Sequence, residues 1–224
     1  MRPTCLPFCS LVLWLILLPA SAGDLTGRVV LEGNPPPETR IDLTRFPALA
    51  RSHPSGLLTR RYQVGADGGL QGVLVYLKGD FAQVAPAPKP VVLDHEEGWF
   101  APQVLGVRVG QELQLLYPKG AVIQADCKEQ PGFMVTFHDA RSFSKPEIGI
   151  RMKCHCHPFN TAYVGVFAHP FFAVTDKDGN YRIAGAPSGR FSIEAWHPNA
   201  GVIATEVSVN DSLLRVSDMV LKAK

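Results

Sequence analysis

A helical hydrophobic period is almost wholly missing from this chain beyond its first 22 residues. Without apolar residues recurring every three to four positions, a helical bundle or coiled coil is excluded. Charge is scarce as well, at 19% of residues with a formal net charge of +2, and the basic residues are scattered. Their densest cluster, Arg60-Arg61, is too short to make a nucleic-acid surface. Past Ala22 no stretch approaches the roughly 20 apolar residues that span a bilayer as a helix. No Gly-x-Ser-x-Gly, His-Glu-x-x-His or P-loop occurs, and no Ser-His-Asp order can be drawn, so nothing positive argues for an enzyme. What remains is apolar material for a core, at 46% of residues, and a few chemically active side chains.

The first residues read as a secretory signal. Arg2 is the only charge before Asp24, Leu11 to Leu18 is unbroken apolar sequence, Pro19 interrupts it, and Ala20-Ser21-Ala22 supplies the small residues of a cleavage site. Residues 1–22 are therefore expected to be a signal peptide cleaved after Ala22, with the mature protein periplasmic or extracellular. Cleavage removes Cys5 and Cys9 from the five cysteines and leaves Cys127, Cys154 and Cys156. An odd number in an exported chain means that one thiol is free, metal-bound or paired to another chain.

Short β-rich runs, each bounded by Gly, Pro or Asp, fill the mature chain and predict an all-β protein. Strands are expected at Leu25–Val30, Val73–Leu77, Val91–Leu93, Val104–Val109, Glu112–Leu116, Val122–Ala125, Gly149–Met152 and Tyr163–Phe167. Residues 38–61 read as irregular with one helical turn near Phe46 to Ala50, 85–90 as a Pro-rich loop, and 126–147 as a long loop. From Phe171 onward, five short strands (Phe171–Val174, Tyr181–Ile183, Phe191–Trp196, Val202–Val209 and Leu214–Leu221) joined by tight turns predict a small sandwich. Asp176 to Asn180 is not a calcium loop, because Gly179 stands at the fourth position and Pro187 replaces the closing Glu; a tight turn is expected. His169 and His197, each before a proline, are expected to hydrogen-bond backbone at the seam between modules, and Trp99 and Trp196 to pack in the core or at that seam.

Cys154, His157 and Asn160 have the 3+3 spacing of a blue-copper loop. There a thiolate and an imidazole from one loop meet a second imidazole from a neighbouring strand and a weak axial group. The run from Phe100-Ala101-Pro102 through Val107-Arg108-Val109-Gly110-Gln111, then Cys-x-x-His-Pro, His169-Pro170-Phe171-Phe172-Ala173-Val174-Thr175-Asp176 and Ala195-Trp196-His197-Pro198, resembles a family of bacterial exported proteins. These join a plastocyanin-like (cupredoxin) domain to a carboxypeptidase-regulatory-like β-sandwich and are often labelled methylamine-utilisation-protein-like. Gly27-Arg28-Val29-Val30 and Val73–Leu77 fit the same pattern. The resemblance implies a cupredoxin-like Greek-key sandwich with the N-terminal strand region over 23–168, a small prealbumin-like sandwich over 169–224, bound copper, and electron transfer as the ancestral role.

The ligand pattern departs from that family. Cys154 and His157 match, Asn160 stands in the methionine position as a weak axial oxygen donor, and Phe159 replaces a tryptophan. Ile123-Gln124 falls where the first histidine belongs, and Gln103 where another histidine is usual. Three readings follow for the extra thiols: a disulfide from Cys127 to Cys154 or Cys156, a rebuilt copper(I) or zinc site on Cys127, Cys154, Cys156 and His157, or a copper site completed by His138 or His155. A Cys154–Cys156 bond ranks last because it is geometrically strained. The expected function is an exported, non-catalytic cupredoxin-like protein with a possible copper cofactor and an unidentified redox or surface partner, and with neither nucleic acid nor a membrane span. The alternative is a degenerate β-sandwich binding or scaffold module with structural cysteines and no metal.

Overall fold

Period-two alternation explains how this chain stacks its sheets. The computed structural model describes residues 22–81, 89–117, 120–136, 138–210 and 212–224; the expected signal peptide, apart from Ala22, and most of the Pro-rich loop at 85–90 lie outside the described residues. In chain order the elements are β1 (Ala22–Glu32), α1 (Pro47–Ser52), β2 (Leu74–Lys78), β3 (Val91–Glu96), β4 (Trp99–Ala101), β5 (Val104–Arg108), β6 (Leu113–Leu116), β7 (Val122–Asp126) and β8 (Phe133–Thr136). They continue with β9 (Asp139–Arg141), β10 (Glu147–Cys154), β11 (Thr161–Phe167), β12 (Phe172–Val174), β13 (Asn180–Pro187), β14 (Gly189–His197), β15 (Gly201–Val209), β16 (Leu214–Arg215) and β17 (Met219–Lys222). The protein is all-β, and α1 is the only helix among the described residues. No helix of the described residues is long and apolar enough to cross a membrane.

Four sheets form. The first is β13-β1-β16 with β17 also on β1, the second β12-β2-β14-β15, the third β5-β11-β10-β7-β8 and the fourth β4-β3-β6-β9. One core, with Leu25, Val29, Ile183 and Met219 facing Val75, Leu77 and Ile193, joins the first sheet to the second. Another, with Leu93, Leu113 and Leu115 facing Ile123, Ile150 and Val164, joins the fourth to the third. A smaller cluster on Leu74, Val104 and Phe167 joins the second to the third.

The middle strands are therefore buried on both faces, and their sequences show it. In β2, Val75 and Leu77 enter the first core while Leu74 enters the seam. In β11, Ala162, Val164 and Val166 face the fourth sheet, and Tyr163 and Phe167 face the second. Gly106 and Gly165 sit side by side in the parallel β5/β11 ladder. A Cβ on Gly165 would come within 2.8 Å of Leu74 Cδ1, and one on Gly106 would run into the Phe172 ring. The missing side chains let the two sheets close on each other.

The division expected at residue 168 does not follow the strand pairing. β1 and β2 precede it, yet β1 pairs with β13, β16 and β17, and β2 with β12 and β14. The strands of 91–167 make the third and fourth sheets on their own. The expected long loop at 126–147 instead carries β8, paired to β7, and β9, paired to β6. At the turn after β12, Asp176 Oδ1 accepts the N–H groups of Asp178 and Asn180, each at 2.9 Å, and Gly179 takes φ +80°. His169 Nδ1 accepts the Phe171 N–H at 3.1 Å, and His197 Nδ1 those of Asn199 and Ala200 at 3.3 and 3.2 Å. The backbone role expected of both histidines is met.

Candidate metal centre

β10 ends at Cys154, whose Cα partner on β7 is Ile123. The chain then folds back: the His155 N–H donates to the Val122 carbonyl at 2.9 Å, and the Asn160 N–H to the His157 carbonyl at 2.8 Å. This tight loop turns Cys154 and His157 to the same side. Asn160, fully buried, ties the loop to the opposite sheet, its Oδ1 accepting the Phe100 N–H at 2.7 Å. Phe100 is the β4 partner of His95 on β3. One side-chain amide thus sets the spacing between the loop and the strand that carries His95.

The result is a convergence of three donors from separate elements. A ligand atom of His95, one of Cys154 and one of His157 lie within 4.8 Å of one another. His95 Nε2 stands 3.2 Å from His157 Nδ1, and the Cys154 sulfur 4.0 Å from that same nitrogen. Cys154 is buried and both histidines are half-buried. Burial pushes the Cys154 thiol up to about 12, helped by its hydrogen bond with Cys156. Burial pulls both imidazoles below the usual histidine range, and His95 adds repulsion for a proton on His157. The unloaded site is therefore neutral, a thiol and two imidazoles, and a metal that binds must displace the thiol proton.

Tetrahedral bond lengths test the fit. Ligand distances of about 2.0–2.1 Å for nitrogen and 2.3 Å for sulfur imply edges of about 3.3 Å between two nitrogens and about 3.6 Å between nitrogen and sulfur. The spacings of 3.2 and 4.0 Å need only small adjustment, and the remaining edge, from His95 to Cys154, lies within 4.8 Å and closes by up to about 1 Å on binding. Two imidazoles and one thiolate also form the trigonal donor set of copper electron-transfer centres.

Of the residues singled out by sequence, Cys154 and His157 come together. Cys156 adjoins them, its sulfur 2.7 Å from that of Cys154 and 3.8 Å from His157 Nδ1. Asn160 lies beside the loop thiol and acts as a clamp, its carboxamide oxygen accepting the Phe100 N–H. The proposed sharing between Cys127 and the loop thiols is corrected by register. Ile123 is level with Cys154, so Cys127 lies four residues along the ladder, about 13 Å toward the other end of β10. All three thiols are free. His155 Nε2 bonds Gln124 Oε1 at 2.8 Å, His138 is exposed and stands outside the cluster, and Gln103 holds Gln63 at 2.8 Å. Ile123 is fully buried core.

His95 is the residue that sequence reasoning missed. The strand read as Val91–Leu93 continues to Glu96, and Leu93 and His95, two apart, share its inward face. An aromatic cover lies over the pair. Phe46, just before α1, sits 5.3 Å from His157 and 5.7 Å from Phe159, ring to ring. Phe159 also meets Trp99 at 5.4 Å, with the Arg60 guanidinium 4.8 Å above that indole.

No protein-family model matches the chain, and no curated protein matches it. Among solved structures it is similar to a copper-containing nitrite reductase from Thermus scotoductus SA-01, at 19% identity and a TM-score of 0.32, over 36% of this chain and 23% of that one. The chain thus spans under a quarter of the reductase's length. It is also similar to a reduced and an oxidised amicyanin mutant, each at 17% identity over 41% of this chain and 97% of amicyanin, with TM-scores of 0.30 and 0.29. The donor set, and not these likenesses, carries the functional reading.

Proposed function

We propose that this chain is an exported, non-catalytic metalloprotein that holds one copper ion or a related soft metal between His95, Cys154 and His157. The observation that supports it is the meeting of three neutral donors within 4.8 Å, fixed by the Asn160 clamp under an aromatic cover. Export rests on the Arg2, Leu11–Leu18 and Ala20-Ser21-Ala22 pattern. The sheets of β1, β2 and β12–β17 are read as the carboxypeptidase-regulatory-like module of the resemblance, serving as scaffold. Electron transfer, the role the resemblance implies, would use copper in the three-donor plane; two thiols side by side in one loop favour holding the metal in one oxidation state.

Metal analysis of the protein purified from its exported, mature form tests this reading. One soft metal per chain is expected, with none retained by Cys154→Ala. Equal metal in both forms would overturn it.

A further inference from the structure

We propose that Cys156 is a fourth donor, closing the site into a two-thiolate, two-imidazole centre that takes copper(I) or zinc(II) in preference to copper(II). This rests on the reading of His95, Cys154 and His157 as metal ligands and names the metal class they take.

The Cys-His-Cys-His run from 154 to 157 places two thiols and an imidazole at one corner of the fold. The Cys156 sulfur is 3.8 Å from His157 Nδ1, against about 3.6 Å for a nitrogen–sulfur edge on one tetrahedral metal. It is 2.7 Å from the Cys154 sulfur, where two sulfurs on such a metal stand about 3.8 Å apart. The sulfurs must therefore separate by roughly 1 Å on loading. Cys154 is buried and set by the ladder, whereas Cys156 is exposed on the turn, so Cys156 makes the movement.

Donor chemistry then selects the metal. A second thiolate softens the set, and soft thiolates favour copper(I) and zinc over copper(II). Four protein donors also leave no open position, the mark of a site that holds its ion instead of presenting it to a substrate. Asn160 Oδ1 accepts the Phe100 N–H at 2.7 Å, which holds the loop while the four donors close on the ion. The exposed thiol is the donor an incoming ion meets first, and buried Cys154 with the two half-buried imidazoles lies behind it.

X-ray absorption and chelator competition on anaerobically loaded full-length mature protein test the inference, with copper(I) alone and zinc(II) alone as probes. Wild type is expected to show two sulfurs and two nitrogens around one metal. Cys156→Ser is expected to show one sulfur, at least tenfold weaker binding of either ion, and, with copper(II), an intense thiolate-to-metal band that wild type lacks. Cys127→Ser should match wild type throughout. One sulfur in both wild type and Cys156→Ser, with equal affinities, would overturn the fourth donor while leaving the three-donor site standing. A wild type that binds neither ion would overturn the site itself.

Discussion

His95 Nε2 and His157 Nδ1 lie 3.2 Å apart with their rings tilted by only 20°, although 62 residues separate them and they come from two facing sheets, His95 on β3 and His157 on the loop after β10. At that distance the pair shares either one hydrogen bond or one metal ion. Replacing His95 by Ala is expected to weaken copper(I) binding at least about a hundredfold, the upper end of what outer-sphere changes cost a metal site. The half-buried position leaves folding intact. Chelator competition reads the affinity, and a change under threefold would contradict the role given to His95.

Asn160→Ala is expected to destabilise the unloaded protein by about 1–3 kcal/mol, because the buried Phe100 N–H loses its acceptor. Metal affinity should fall too, since the loop is no longer tied to the strand partner of His95. Urea unfolding and chelator titration report the two effects, which must appear together.

How much of this was legible beforehand differs from element to element. Val73–Leu77 declared itself, because a strand buried on both faces is apolar at every step. That β1 joins β13 more than 150 residues away was not legible, since local pattern fixes a strand and not its partner. Two of the three converging donors were visible in the Cys154/His157 spacing. Cys127 was drawn toward it by its closeness in sequence to Val122–Ala125, but the antiparallel register carries that end away. His95 was hidden by Asp94, Glu96 and Glu97, whose polarity masks the strand's inward alternation.

The thiols should differ in reactivity. Cys156 is exposed and should take a thiol reagent first at pH 8, while Cys154 is buried. Cys127 should also be slow, since burial, then Glu147 and Asp126, push its thiol up to about 11. Timed labelling read by mass spectrometry is expected to modify Cys156 well before the others, and metal loading to protect Cys156 and Cys154 but not Cys127.

His197 gives the fold a pH limit. Burial holds its imidazole down at about 4, against an ordinary value of 6.5. The unfolded chain takes up a proton as pH falls below 6.5 and the folded one does not until about 4. The contribution of His197 to stability is therefore fully present above 6.5, falls by about 3 kcal/mol between 6.5 and 4, and levels off below. In His197→Gln, whose amide oxygen can still accept backbone N–H groups, denaturant unfolding should show a flatter profile across that window.

Close approach at the glycine seam predicts overpacking. Gly165→Val brings a side chain against Leu74 Cδ1 and the Phe167 ring, where even a Cβ would lie at 2.8 and 2.9 Å. A loss of about 1–3 kcal/mol is expected, measurable by thermal unfolding. An unchanged midpoint would mean that the second and third sheets do not meet at this glycine.

The most direct test of the account is an anomalous difference map from a crystal of the mature protein loaded with one equivalent of copper(I), recorded at the copper edge. The account predicts one strong peak within about 2.0–2.4 Å of His95 Nε2, His157 Nδ1 and the Cys154 sulfur. A map with no peak between these three atoms, or with its peak at Cys127 or His138, would contradict it.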